Sequence, residues 1–159
     1  MVDVNKATIG GHSDAIRALV KLLAEGDSRA RKEAITALYS LCFYDDNKKR
    51  AVMAGTVPLL VGGLINSAGV PDDTLERPLG VLNMLATVVE GRTAIGNHWG
   101  IMGTLVRLLK QGTSRSREHA VAILSSLCCN SKQRATEARE AGALEHCRQL
   151  LDDGTMRSK

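Results

Sequence analysis

Histidine and cysteine are the residue types of this chain that offer the most chemistry, as metal ligands, bases or nucleophiles. Their spacing forms neither a metal site nor a Cys-x-x-Cys redox pair. They are His12, His98, His119, His146, Cys42, Cys128, Cys129 and Cys147. No Gly-x-Ser-x-Gly elbow or phosphate-binding loop occurs either. The sequence therefore predicts no catalytic residue, no metal and no cofactor in this chain.

The cysteines lie in stretches with helical apolar patterns, which is typical of small buried side chains. Cys128 repeats the position of Cys42 in a second copy of one pattern, which favours packing over a nucleophilic role. Four such cysteines indicate a reducing compartment, so we expect a cytoplasmic and/or nuclear protein.

Composition narrows the class of protein. The 159 residues are 44% hydrophobic and 24% charged, as in one soluble globular domain. No apolar run approaches the ~20 residues that cross a bilayer. The net charge of +4 suits an acidic partner but is too small to argue for nucleic acid, and 3% aromatic residues offer few platforms for base stacking. We expect a protein partner, no membrane span and no nucleic acid.

The elements that must position any site repeat along the chain. The stretch "LVKLLAEGDSRARKEAITALYSLC" at 19–42 returns as "LVRLLKQGTSRSREHAVAILSSLC" at 105–128, an offset of 86 residues or twice 43. A weaker copy lies between them, and a fourth begins at Ala143. A period near 43 is typical of helical arrays. We predict one array over 1–159, with repeats at 5–46, 47–90, 91–131 and, in part, 132–159.

Each full repeat reads as three helices. We predict a first helix at 47–54, second helices at 14–24 and 101–111, and third helices at 28–43, 74–88 and 114–129. Ser28, Thr74 and Ser114 look like N-caps of the third helices. Glycines recur before the second helices, where a left-handed residue ends the first helix. They are Gly11, Gly55, Gly100 and Gly142.

This pattern resembles armadillo repeats. The resemblance rests on the pairs Ala54-Gly55 and Ala141-Gly142, on the "LVxLL" second helix and on the "AL-x-x-LC" end of the third. The stretches "EGDSRARKEAITALYSLC" and "DDGTMRSK" are most similar to the arrays of plant U-box ubiquitin ligases. The resemblance implies an all-α, right-handed α-solenoid with three helices per repeat. The sequence contains no U-box, and Lys159 falls at the start of an expected third helix, so we expect a piece of a longer protein or a truncated paralogue.

The resemblance also implies a site, because third helices of armadillo arrays line a concave groove that holds an extended partner. The expected wall is Lys32, Thr36, Ser40, Phe43, Glu76, Gly80, Met84, Thr87, Glu118, Ala122, Ser126 and Cys129. The asparagine ladder of nuclear-import receptors is replaced by Ser40, Met84 and Ser126, and Trp99 ends a first helix, so that function is not expected. The alternative is that the wall consists of ordinary exposed helix residues.

Arginines at the starts of third helices are a second candidate, and they are Arg29, Arg31, Arg115 and Arg117. Cations there oppose the helix dipole, which suggests an acidic or phosphorylated partner. Asp72 and Asp73 interrupt this row in the middle repeat, so a solvated edge is the alternative. The basic segment Asp45–Arg50 is either a nuclear-localisation fragment or a surface turn that begins a helix.

Three functions follow from these observations. The leading prediction is a protein-interaction array that recognises the substrate or partner of a U-box ubiquitin ligase. The alternatives are a free-standing armadillo adaptor and a binder of acidic or phosphorylated partners.

Overall fold

The computed structural model describes residues 5, 8 and 13–157, and we number its helices from Ser13. This part of the chain contains ten α-helices and one short 3₁₀ helix, and it contains no strand. The helices are α1 Ser13–Glu25, α2 Ser28–Leu41, α3 Asp45–Met53, α4 Thr56–Ile65, the 3₁₀ helix Asp72–Leu75, α5 Glu76–Leu85, α6 Val89–Gly96, α7 Ile101–Gln111, α8 Ser114–Cys128, α9 Lys132–Glu140 and α10 Ala143–Arg157. None of these helices is long and apolar enough to cross a lipid bilayer.

Equivalent helices of successive repeats pack side by side. The third helices α2, α5 and α8 form one row, with α5 between the other two. The first helices α3 and α6 pack together in the same way, as do the second helices α4 and α7. Within a repeat, the second helix packs along the third, as α1 does on α2 and α7 on α8. The chain therefore advances by one layer of helices per repeat.

The apolar face of the third helix explains this stacking. Ala34, Leu38 and Leu41 follow one another at spacings of four and three residues, so they share one face of α2. All three are at most 1% exposed, and Ala120, Leu124 and Leu127 repeat the face on α8. One repeat cannot cover such a face alone, so neighbouring repeats bury it.

The predicted glycine turns are confirmed where the structure describes them. Gly55, Gly100 and Gly142 have φ values of 90°, 86° and 86°, and each precedes a second helix. Side chains with a Cβ are strained at these angles, which is why glycine recurs there. Gly11 lies outside the described residues.

The N-cap predictions were wrong by one residue. Asp27 caps α2, because its carboxylate accepts the Ala30 N–H at 2.8 Å. The Thr113 hydroxyl caps α8 in the same way and accepts the Ser116 N–H at 3.2 Å. Ser28 and Ser114 are the first helical residues. Thr74 lies in the 3₁₀ helix, and α5 begins two residues later.

The last described helix departs from the pattern of the earlier repeats. The turns at 26–27 and 112–113 separate second from third helices, and residues 154–155 stand at the equivalent place. They lie inside α10, which continues to Arg157 as one helix. The expected start of a third helix at Lys159 lies outside the described residues.

Candidate functional site

The row of third helices encloses a depression of about 530 Å³ that draws its lining from all three. Two of its lining residues come from the 3₁₀ helix before α5. We call this depression the groove. It is lined by Lys32, Ile35, Thr36, Tyr39, Asp73, Thr74, Glu76, Arg77, Pro78, Arg115, Glu118 and His119.

Gly80 lies beside two residues that line the groove, Tyr39 and His119. It is buried in α5, and a Cβ there would lie 2.9 Å from Tyr39 Cε2 and 3.5 Å from His119 Nε2. The absence of a side chain therefore lets the two rings, one from each neighbouring helix, approach the backbone of α5. The Tyr39 ring also packs edge-to-face on Phe43, with ring centroids 5.7 Å apart.

Polar contacts tie the third helices together along the groove. Arg77 Nη1 donates to Thr36 Oγ1 at 2.6 Å, and this hydroxyl donates to the Lys32 carbonyl at 2.9 Å. The Thr113 hydroxyl donates to Glu76 Oε1 at 2.7 Å. Thr36 and Glu76 therefore help to hold the helices in register as well as lining the groove.

Asn83 and His119 make a further cross-helix contact, with 3.4 Å between Asn83 Nδ2 and His119 Nδ1. Partial burial of the His119 ring lowers its pKa, and the charge of Glu118 opposes this shift. The imidazole therefore favours the neutral form, which can accept from the Asn83 amide.

The structure places four of the predicted wall residues in the groove, namely Lys32, Thr36, Glu76 and Glu118. The others do not line it, although they lie on or just beyond the same helices. Their surroundings differ: Phe43 is 58% exposed, and Thr87 accepts a hydrogen bond from Lys48 Nζ at 2.9 Å. The remaining ones are Ser40, Gly80, Met84, Ala122, Ser126 and Cys129. Partner contact by any of these residues stays a prediction.

The four arginines divide into two kinds. Arg31 Nη2 donates to the Ala24 carbonyl, and Arg117 Nη2 donates to the Lys110 carbonyl, both at 3.4 Å. These carbonyls lie at the C-terminal ends of α1 and α7, where a cation interacts favourably with the helix dipole. Arg29 and Arg115 are exposed, and Arg115 lines the groove. The recurrence of Arg31 and Arg117 thus has a structural reason within each repeat.

The segment Asp45–Arg50 forms the first turns of α3. Lys48 Nζ donates to Asp45 Oδ1 at 2.8 Å, and this hydrogen bond holds the pKa of the Asp45 carboxyl below its usual value. Asn47 is buried and donates from Nδ2 to the Leu41 carbonyl at 2.9 Å. The Asn47 hydrogen bond fixes α3 to the end of α2.

Cysteine thiols are further candidates for chemistry among the described residues. All four cysteines lie in the described part of the chain and carry free thiols. Burial raises the pKa of the Cys42 thiol to about 12, so it stays protonated and unreactive at neutral pH. Among the described residues, no group of three or more His, Cys, Asp or Glu side chains is placed to hold a metal ion.

Sequence reasoning missed several groove residues, of which Tyr39, Arg77 and His119 make the cross-helix contacts. Aligning the copies would have supplied a signal, because Arg77 and His119 occupy equivalent positions on α5 and α8. Gly80, at the position of Thr36 and Ala122, is the residue that admits the two rings.

Comparisons with known proteins agree with this repeat architecture. A model of the family described as plant U-box protein ARM repeat region matches residues 2–152. The chain is 42% identical over 147 residues to U-box domain-containing protein 8 of Arabidopsis thaliana, which covers 92% of this chain and 37% of that protein. It is 37% identical over 106 residues to U-box domain-containing protein 17 of the same species, which covers 67% of this chain and 14% of that protein. The chain therefore spans well under half the length of these curated relatives.

Two solved structures of designed proteins share this fold. A computationally designed armadillo repeat protein for modular peptide recognition superposes with a TM-score of 0.75 at 21% identity, covering 93% of this chain and 66% of that one. A designed armadillo repeat protein in complex with the peptide (KR)4 gives a TM-score of 0.74 at 20% identity, covering 94% and 66%. At these identities the likeness shows the fold alone. The predicted all-α, right-handed armadillo solenoid is thereby confirmed.

Proposed function

Because the chain belongs to the family of plant U-box protein ARM repeat regions, we propose that its groove binds an extended segment of a partner protein and selects that partner for ubiquitin transfer. The array itself does no chemistry in this proposal. It raises the effective concentration of the target near a U-box domain carried by a longer protein. The observation that carries the proposal is the groove of about 530 Å³, to which three successive repeats contribute.

The side chains of the groove suit a peptide rather than a small apolar ligand. Lys32, Arg115 and Glu118 are exposed along its edges and can contact charged side chains of a partner. Ile35, Tyr39 and Pro78 offer apolar surface between them. Charged edges with apolar surface between them favour a partner segment that carries both charged and apolar side chains. Complementary charges on the groove and the partner then give specificity.

A displayed library of random peptides tests binding without a known partner. We expect enriched peptides whose binding weakens at least about tenfold in the triple variant Lys32→Ala, Arg115→Ala, Glu118→Ala. The matched control is Arg17→Ala, Lys21→Ala, Glu25→Ala, which removes the same residue types from the exposed face of α1. Equal loss of binding in both variants, or in neither, would refute the groove as the site.

The ligase connection needs its own measurement. A selected peptide fused to a lysine-bearing reporter is offered to a chimaera in which a U-box precedes this array. We expect ubiquitination of the reporter, lost in the groove variant while self-ubiquitination of the chimaera persists. Binding without any reporter ubiquitination would instead favour a free-standing adaptor.

We also propose a cytoplasmic and/or nuclear location. The free thiols support it, because half-buried Cys128 and exposed Cys129 would be open to oxidation outside a reducing compartment. A fluorescent fusion in source cells tests this, and a secreted fusion would contradict it.

A further inference from the structure

Two adjacent glycines lie beside a cleft between the first two described repeats. Gly62 and Gly63 are neighbours in α4, and a Cβ at either one would meet nothing within 4 Å. They line a cleft of about 360 Å³ that α4 forms with α1, α2, the 3₁₀ helix and the start of α5. Leucine, isoleucine and proline side chains make up most of this lining, and Arg31 and Asn66 are its polar members. The cleft is therefore mainly apolar.

The next layer of the array carries side chains at the positions of these glycines. An offset of 45 residues relates α4 to α7, and it carries Gly62 to Arg107 and Gly63 to Leu108. Arg107 Nη2 donates to a carbonyl near the end of α4 at 3.1 Å. Leu108 is 3% exposed, whereas Gly63 is exposed. The two side chains of α7 are thus packed where α4 has none.

The facing wall of the cleft has an equivalent as well. An offset of 44 residues relates Arg31 of α2 to Leu75 of the 3₁₀ helix. Leu75 is 7% exposed, and it lines one depression together with Leu108. Arg31 and Gly63 line the cleft in the same way. The place that a leucine of the chain fills in the later layer is therefore open in the earlier one.

The cleft is continuous with the groove. Ile35 and Pro78 line both, and both side chains are half-buried. An extended segment that lies in the groove across these two residues can therefore direct one of its side chains into the cleft. Successive side chains of an extended segment point to opposite sides, so its neighbours remain free to contact the charged edges of the groove.

We propose that the cleft holds a leucine side chain of the partner segment that occupies the groove, an inference that rests on the function proposed above. The apolar lining disfavours a charged or polar side chain, which would lose its hydration there. Leu108 gives the size of the side chain that fits the equivalent place. The partner segment therefore carries a leucine as its anchor, flanked by charged residues that the groove orients.

The probe is the tightest peptide selected from the displayed library, made with a fluorescent label, and its affinity is measured by fluorescence polarisation. We expect one leucine of this peptide to cost about tenfold or more in affinity when it is replaced by alanine, because its burial is lost. Gly63→Leu should weaken binding of the unaltered peptide by a similar factor, because the new side chain fills the cleft. In that variant the leucine-to-alanine change in the peptide should cost little more, since the two changes remove the same contact.

Gly103→Leu is the matched control. Gly103 is an exposed glycine of the second helix α7, a Cβ there would meet nothing within 4 Å, and it lines neither the cleft nor the groove. This variant should bind the peptide as the unaltered chain does. Thermal melting shows whether both variants fold, and we expect neither midpoint to fall, because leucine favours a helix more than glycine does.

Cross-linking locates the leucine without any variant of the array. A peptide with photoleucine at the anchor position should cross-link to residues of α1, α2 or α4 that line the cleft. Cross-links confined to α8 would overturn the proposal, and so would a Gly63→Leu variant that binds the peptide as tightly as the unaltered chain. In both cases the groove would remain the site if the Lys32→Ala, Arg115→Ala, Glu118→Ala variant still loses binding.

Failure of the proposed function has a different signature. Peptides that bind this triple variant and the unaltered chain equally would refute the groove, and the leucine anchor with it. The anchor is also overturned if the chain self-associates in sedimentation and Gly63→Leu restores the monomer, because the occupant of the cleft is then a second copy.

Discussion

Leu41 and Leu127 occupy the same place in two copies of the third helix, and they are 1% and 0% exposed. We expect Leu41→Ala and Leu127→Ala each to lower the free energy of unfolding by about 2–5 kcal/mol, through lost burial and the cavity left behind. Urea denaturation measures this effect. Leu151→Ala is the control, because that side chain is 69% exposed. Equal midpoints for Leu41→Ala and Leu151→Ala would show that the repeated face is not a core.

His119 makes stability depend on pH. Partial burial of the ring lowers its pKa in the folded chain, so the unfolded chain binds its proton more readily. As pH falls below the usual value of about 6.5, the histidine therefore disfavours folding increasingly until the folded ring also protonates. Glu118, Arg115 and Glu76 are the charged groups that act on the ring, and the Glu118 charge only partly offsets burial.

We therefore expect His119→Gln to lose less stability than the unaltered chain between pH 7 and pH 5, since it has no proton to gain there. Urea unfolding midpoints across this range measure the difference, and His98→Gln is the control, because His98 does not line the groove. Parallel pH profiles for His119→Gln and the unaltered chain would contradict a lowered pKa at His119.

At the scale of elements, local sequence identifies helices better than it fixes their ends. The repeated apolar spacing predicts α2 and α8, and both exist. Their N-caps were misplaced because two adjacent residues can each cap, Asp27 with Ser28 and Thr113 with Ser114. Only the position whose oxygen reaches the amide three residues on acts as the cap, and chain geometry decides which one that is.

Glycines within helices differ in what surrounds them. A Cβ at Gly63 in α4 would meet nothing within 4 Å, so its flexibility costs stability with no gain in packing. We expect Gly63→Ala to raise the free energy of unfolding by about 0.5–1 kcal/mol. Gly80→Ala is the contrast in α5, where the added carbon would lie 2.9 Å from the Tyr39 ring and should lower stability. Thermal melting distinguishes the two, and a lower midpoint for Gly63→Ala would show that its surroundings are not open.

At the scale of the whole molecule, the sequence predicts the repeat, but it predicts only part of the groove. Periodicity gives the order of helices, because each copy repeats the residues that interlock. Tyr39 and His119 come from two different copies, and both lie close to Gly80 in the copy between them. Such contacts depend on the rotation between successive layers of helices. The sequence of a single repeat does not determine that rotation. The resemblance to armadillo arrays placed Lys32, Thr36, Glu76 and Glu118 in the groove, whereas Tyr39, Arg77 and His119 were not predicted there.

The layered architecture also predicts how far the loss of stability from one substitution extends along the array. Within the described residues, α1 packs mainly on α2, α3 and α4, whereas α8 packs mainly on α5, α7 and α9. Stability in such an array is close to a sum over neighbouring repeats. We expect Leu127→Ala to accelerate native-state amide exchange most in α7, α8 and α9 and least in α1, and Leu38→Ala to show the reverse gradient. Hydrogen-exchange mass spectrometry measures both. Uniform acceleration in all helices would mean that the chain opens only as a whole, with cooperativity that spans every layer.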